Sequence, residues 1–89
     1  MLKENITIIN QFGLHTRAAA KLAAMAARFE SKIQLARQGQ IADCKSIMSL
    51  IVMGVTKNME LELMISGADE LEAREAIVNL VTDKFGEAE

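Results

Sequence analysis

A chain of 89 residues holds one domain, 1–89, with a modest core; half its residues are hydrophobic (51%) and a quarter charged (25%), as in ordinary globular proteins. No apolar run approaches the ~20 residues of a membrane helix and the first residues lack the apolar core of an export signal, so a cytoplasmic protein without membrane insertion is expected. The single cysteine, Cys44, has no partner for an internal disulfide or a thiolate zinc site, and a net charge of −2 with no Trp or Tyr disfavours nucleic acid, so neither metal, cofactor nor nucleic acid is expected.

In chain order, Glu4 to Asn10 alternates Ile6 and Ile8 with Asn5 and Thr7, the pattern of a half-buried strand. Gly13 breaks it with a residue that tolerates turn geometry. Thr16 to Phe29 is alanine-rich and predicts a helix capped by His15 or Thr16. Its spacing predicts a buried stripe of Ala18, Leu22, Met25, Ala26 and Phe29. Lys32 to Arg37 and Ile41-Ala42 flank the turn Gln38-Gly39-Gln40 and predict a hairpin. Ser46 to Met53 is apolar nearly all round and suits a helix or a buried strand. Ser46 before it and Gly54 after it favour a short helix. On such a helix, Ile47, Met48 and Ile51 either pack in the core or form an exposed docking patch.

Met59 to Ser66 alternates Leu61, Leu63 and Ile65 with Glu60, Glu62 and Met64, a clear strand. Asp69 followed by Glu72 has capping-box spacing and predicts the start of a last helix. Ala73, Ile77, Leu80, Val81 and the stem of Lys84 would face inward, Gly86 would end the helix, and Glu87-Ala88-Glu89 would fray. Strands with one apolar face and intervening helices imply an α+β fold, one open sheet covered on that face.

The chemistry concentrates in Gly13-Leu14-His15-Thr16-Arg17-Ala18-Ala19-Ala20. It holds the only histidine, directly before the helix, with an arginine two residues on. First-turn N–H groups lack intrahelical partners, the dipole is positive there, and a guanidinium matches phosphate oxygens. His15 is therefore the candidate phosphoryl acceptor, against the plainer reading of a capping residue. Charge supports it: Gly13 to Lys57 carries seven Lys/Arg and two acids, whereas Asn58 to Glu89 carries nine acids and two bases. A basic half suits a phosphate and an acidic partner.

With these elements in order, nearly the whole chain resembles HPr, the histidine-containing phosphocarrier family of the bacterial phosphotransferase system. Gly13-Leu14-His15-Thr16-Arg17 matches the family's active-centre loop, and Lys45-Ser46-Ile47-Met48 with Gly54 its regulatory region. The resemblance implies an open-faced β-sandwich, a four-stranded antiparallel sheet covered by three helices in the order β-α-β-β-α-β-α. It implies that His15 takes phosphate on Nδ1 from enzyme I, which takes it from phosphoenolpyruvate, and passes it to EIIA domains for sugar uptake. Arg17 aligns with the arginine that assists transfer, and Ser46 with the serine modified by HPr kinase/phosphorylase where that kinase exists. Thr16, Arg17 and Ala18 would hold phosphate; Ala20, Ile47, Met48 and Ile51 would meet partners. A monomer fits a shuttle that exposes one face to several partners, and a carrier of this kind is a transfer intermediate rather than an independent enzyme. One departure stands out: the family usually has proline where this chain has Ala18, so a first-turn restraint is missing and a backbone N–H is added. The alternative is a regulatory docking module, or a nitrogen-branch paralogue whose phosphorylation state controls partner proteins.

Overall fold

The structure, a computed structural model, describes residues 1–87. Its strands are β1 (Leu2–Thr7), β2 (Lys32–Arg37), β3 (Gln40–Asp43) and β4 (Glu60–Ser66); its helices are α1 (Thr16–Ala26), α2 (Ile47–Val52) and α3 (Glu70–Thr82), with a final 3-10 turn at Lys84–Gly86. The sheet order is β1-β4-β2-β3, antiparallel throughout. Register brings Ile6 opposite Leu61, Leu63 opposite Leu35, and Ile65 opposite Ile33. Because side chains alternate along a strand, these residues share one face. That face packs against Ala18, Leu22 and Ala26 of α1, Leu50 of α2, and Ala73, Ile77 and Val81 of α3 in a single apolar cluster. The expected α+β open-faced sandwich is what the chain forms.

Local signals explain most boundaries. At the β2–β3 hairpin Gln38 and Gly39 both have positive φ (49° and 83°), the two-residue turn whose twist matches paired strands. The Ser46 side chain accepts from the Ser49 N–H at 3.2 Å, which caps α2 and settles helix over strand. Gly54, at φ 66°, ends it.

Several expectations are corrected. β1 starts at Leu2 and its regular pairing ends at Thr7, because Ile8 instead exchanges bonds with the loop before β4: Ile8 N–H to Met59 O at 3.0 Å and Asn58 N–H to Ile8 O at 2.6 Å. α1 ends at Ala26, not Phe29, and its buried stripe is Ala18, Ala19, Leu22, Ala23 and Ala26. Met25 and Phe29 pack at the core's edge instead. The small alanines let α1 lie close to α2 and α3, so the helix presents its alanine side rather than its bulkier one. Leu80 is likewise at the margin, while Phe85, which the periodicity of α3 did not reach, is among the largest fully buried side chains.

The capping box at Asp69 does not form. Asp69 is the N-cap residue of α3 by position but makes no side-chain cap bond. Its carboxylate instead accepts from the Glu30 N–H at 2.9 Å, the Ser31 N–H at 3.0 Å and the Ser31 hydroxyl, tying the connection between α1 and β2 to the start of α3. The Ser31 hydroxyl first, then the backbone N–H groups, hold the carboxyl below its usual 3.8. A carboxyl depressed in the folded state contributes stability that is complete above its unfolded pKa and lost as pH falls through the folded one. Asp69→Asn is therefore expected to lower the urea midpoint by a constant amount between about pH 7 and pH 5, and by progressively less below about pH 4. A gap of unchanged size down to about pH 2.5 would show that the ionised carboxylate is not what is being held.

Candidate phosphate site at the N-terminus of helix α1

The site stands on a loop stitched to the sheet's far connection. Leu14 donates its N–H to Val55 O at 3.0 Å. That bond draws Gly13 against the Val55–Thr56 backbone, where a Cβ would lie 2.3 Å from Val55 O. Gly13 takes φ +63°, so both its conformation and its missing side chain are required. The buried Asn10 closes the loop by donating from Nδ2 to Gly13 O at 2.8 Å.

His15 then occupies the N-cap position of α1 in extended conformation, and its side chain makes no cap bond. Its carbonyl accepts the Ala19 N–H at 2.8 Å. The N–H groups of Thr16, Arg17 and Ala18 have no hydrogen-bond acceptor among the described residues. Three unpaired donors at the positive end of a helix form an anion cradle. Arg17 is exposed and has no ion pair among the described residues, so its guanidinium is free to close over an anion. Thr16 is exposed as well. Ala18 is wholly buried, so only its backbone faces this role. An open cleft of about 570 Å³ is lined by Phe12, His15, Thr16, Arg17 and Ala20. The described residues contain no cluster of potential metal ligands.

Two residues of the site lay beyond sequence reasoning. Phe12 is 67% exposed and meets the imidazole edge-to-face, with ring centroids 5.9 Å apart. The chain, which lacks Trp and Tyr, thus exposes an aromatic ring through one of its phenylalanines. Glu87, expected to fray, instead places Oε2 2.7 Å from His15 Nε2. Ala88 and Glu89, assigned to the same frayed end, lie outside the described residues. Asn10 Nδ2 donates to both Glu87 oxygens at 3.3 Å. The bond from His15, then those from Asn10 and the charges of His15 and Lys21, hold the Glu87 carboxyl below its usual range against some desolvation.

The turn carrying Glu87 has Lys84, Phe85 and Gly86 at φ 55°, 55° and 79°. Left-handed backbone costs about 1–2 kcal/mol at each of the two non-glycine residues. Burying Phe85 returns about 1.5–3 kcal/mol, and Lys21 Nζ donates to Phe85 O at 2.7 Å, so the turn holds. The pairing of Glu87 with His15 is legible only once this turn exists.

The second anchor is less concave. On α2, Ile47 and Met48 are exposed (Met48 68%), Ile51 is half-buried, and Val52, not anticipated, is the most exposed of them at 71%. α2 packs beside α1, yet none of these residues lines the cleft at His15; only Ala20, of the expected contact residues, does.

A small open-faced sandwich that presents one imidazole beside unpaired N–H groups at a helix N-terminus has the form of a carrier domain. Comparison with known proteins agrees. The family model for the PTS HPr component phosphorylation site matches residues 2–83. The phosphocarrier protein HPr of Cupriavidus necator is 40% identical over 89 residues, covering all of both chains. The crystal structure of HPr-C-His from Thermoanaerobacter tengcongensis superposes with a TM-score of 0.96 at 37% identity, covering 100% of each chain, and that of an HPr dimer from the same organism with a TM-score of 0.76 at 39% identity, covering 98% of this chain and 100% of the other. The chain belongs to the HPr phosphocarrier family of the phosphotransferase system.

Proposed function

We propose that the chain relays a phosphoryl group: His15 accepts it from phospho-enzyme I, ultimately from phosphoenolpyruvate, and passes it to EIIA domains. The observation that carries this reading is the lone imidazole at the cap of a helix whose first three N–H groups are unpaired, with Arg17 free beside it. The cradle and the guanidinium would stabilise charge in the transition state, and positioning would supply most of the acceleration. The transfer needs no metal ligand from this chain. An open site suits a relay, because donor and acceptor must each reach the same imidazole and leave again. The carrier acts as a monomer on this reading, presenting the cleft and α2 together.

The exposed α2 residues Ile47, Met48 and Val52 extend the contact surface beyond the cleft. Ser46 caps that helix, so a phosphate there would add negative charge next to the apolar patch while the helix N-terminus tolerates it. Modification of Ser46 would thus weaken docking by charge, not by refolding.

Purified enzyme I and phosphoenolpyruvate are expected to add a single acid-labile phosphate, read by intact mass, which is absent in His15→Ala. Ser46→Asp in the same assay is expected to keep its fold and accept phosphate more slowly, through weaker docking of enzyme I. Failure of enzyme I from both the sugar and the nitrogen branch to label the wild-type chain would leave the alternative, a docking module read through its α2 face. Unchanged docking by Ser46→Asp would remove the charge mechanism.

A further inference from the structure

His15 is gripped from one side only. Nε2 is engaged by Glu87, whereas Nδ1 has no hydrogen-bond partner among the described residues. Asn10, wholly buried, directs Nδ2 at both Glu87 oxygens and at Gly13 O. A carboxylate held by such donors is ionised and can only accept, so the imidazole must carry its hydrogen on Nε2. In the neutral ring this leaves the lone pair on Nδ1. The grip is built, not incidental: buried Phe85 and the Lys21 bond to its carbonyl fix the turn that delivers Glu87, and the loop through Asn10 fixes the carboxylate itself.

We infer that Glu87 is a positioning residue for His15, setting the tautomer that makes Nδ1 the nucleophile and neutralising the charge the ring gains when phosphorylated. The inference rests on the carrier reading above. In the step itself, the Nδ1 lone pair forms the new P–N bond while the bond from phosphorus to the donor's carrier atom breaks, its electron pair staying on the donor. No proton has to leave His15. The ring becomes a phosphoimidazolium whose Nε2–H remains bonded to the Glu87 carboxylate, and the same contact persists while the phosphate waits for its acceptor. Return of the electron pair to Nδ1 on transfer restores the neutral ring in the same tautomer, ready for the next donor.

The decisive comparison is Glu87→Gln against Glu87→Ala in the full chain. Asn10 Nδ2 is oriented by Gly13 O and continues to donate, so it takes the amide oxygen of the new glutamine. The glutamine NH2 then faces Nε2 as a second donor and draws the ring hydrogen to Nδ1, blocking the nucleophile. Alanine merely releases the ring. Phosphorylation by phospho-enzyme I is therefore expected to fall about 100-fold in Glu87→Gln and only about 10-fold in Glu87→Ala. Ring 15N spectra of histidine-labelled protein with the ring neutral are expected to report hydrogen on Nε2 in the wild type and on Nδ1 in Glu87→Gln. A purely structural contact predicts the reverse order, with isosteric glutamine milder than alanine. That order, or Glu87→Gln within about 3-fold of the wild type with hydrogen still on Nε2, overturns the inference and leaves the carrier reading standing. Absence of labelling of His15 in the wild type overturns the carrier reading and with it the positioning role, whatever the ring spectra report.

Discussion

Gly13→Ala is expected to destabilise the protein by about 2–5 kcal/mol. The new residue would hold a left-handed φ at a cost of about 1–2 kcal/mol. Its Cβ would also meet Val55 O at 2.3 Å and Thr56 Cα at 2.8 Å, backbone atoms that cannot rotate aside. Relieving such overpacking costs about 1–3 kcal/mol more. A domain of this size has roughly 4–13 kcal/mol in total, so the loss is a large share. It also falls on function, because the bond from Leu14 to Val55 that presses Gly13 into place is what sets His15 at the helix cap. Gly54→Ala is the internal control. Its φ is nearly the same, +66°, but nothing lies within 4 Å of its added Cβ, so only the backbone cost of about 1–2 kcal/mol applies. Urea midpoints of the two variants decide the matter: equal losses would mean that the contact with Val55 carries no energy.

Arg17→Ala is expected to slow phosphoryl acceptance from enzyme I by about 10²- to 10³-fold, the usual cost of losing one donor aimed at developing charge. Stability should stay within about 0.5 kcal/mol, because the side chain is exposed and bonds to no described residue. Arg17→Lys should fall between the two, since an ammonium keeps the charge but lacks the planar fork. Initial rates measured beside thermal melts separate the cases. A rate within about 3-fold of wild type in Arg17→Ala would assign charge stabilisation to the first-turn N–H groups and the partner protein instead.

What could be read along the chain was short-range. The alternation of Leu61, Leu63 and Ile65 defines β4 because side chains on a strand point to opposite faces, whatever surrounds it. Ser46 bonds three residues ahead, so its capping role follows from the helix it begins. The helix N-terminus at His15 and Arg17 is legible for the same reason: cradle, imidazole and guanidinium come from consecutive residues. Errors came where a local pattern had a distant competitor. Asp69 has the spacing of a cap, yet three donors at Glu30 and Ser31 outcompete its own helix. Phe29 and Met25 have core periodicity, yet the core takes the flatter alanine side of α1, which lies against α2 and α3.

The sequence by itself determined most of the elements, the one apolar face of the sheet and the helix N-terminus that brings His15 and Arg17 together, since each depends on neighbours within a turn or two. Tertiary structure alone decided the strand order β1-β4-β2-β3, the pairing of Asp69 with Ser31, and the placement of Glu87 on His15, 72 residues away in the chain. The physical reason is the same in each case. These contacts depend on where the chain returns after burying its apolar residues. A carboxylate near the end of a chain has no periodicity to announce its partner until Phe85 is buried and the last turn closes.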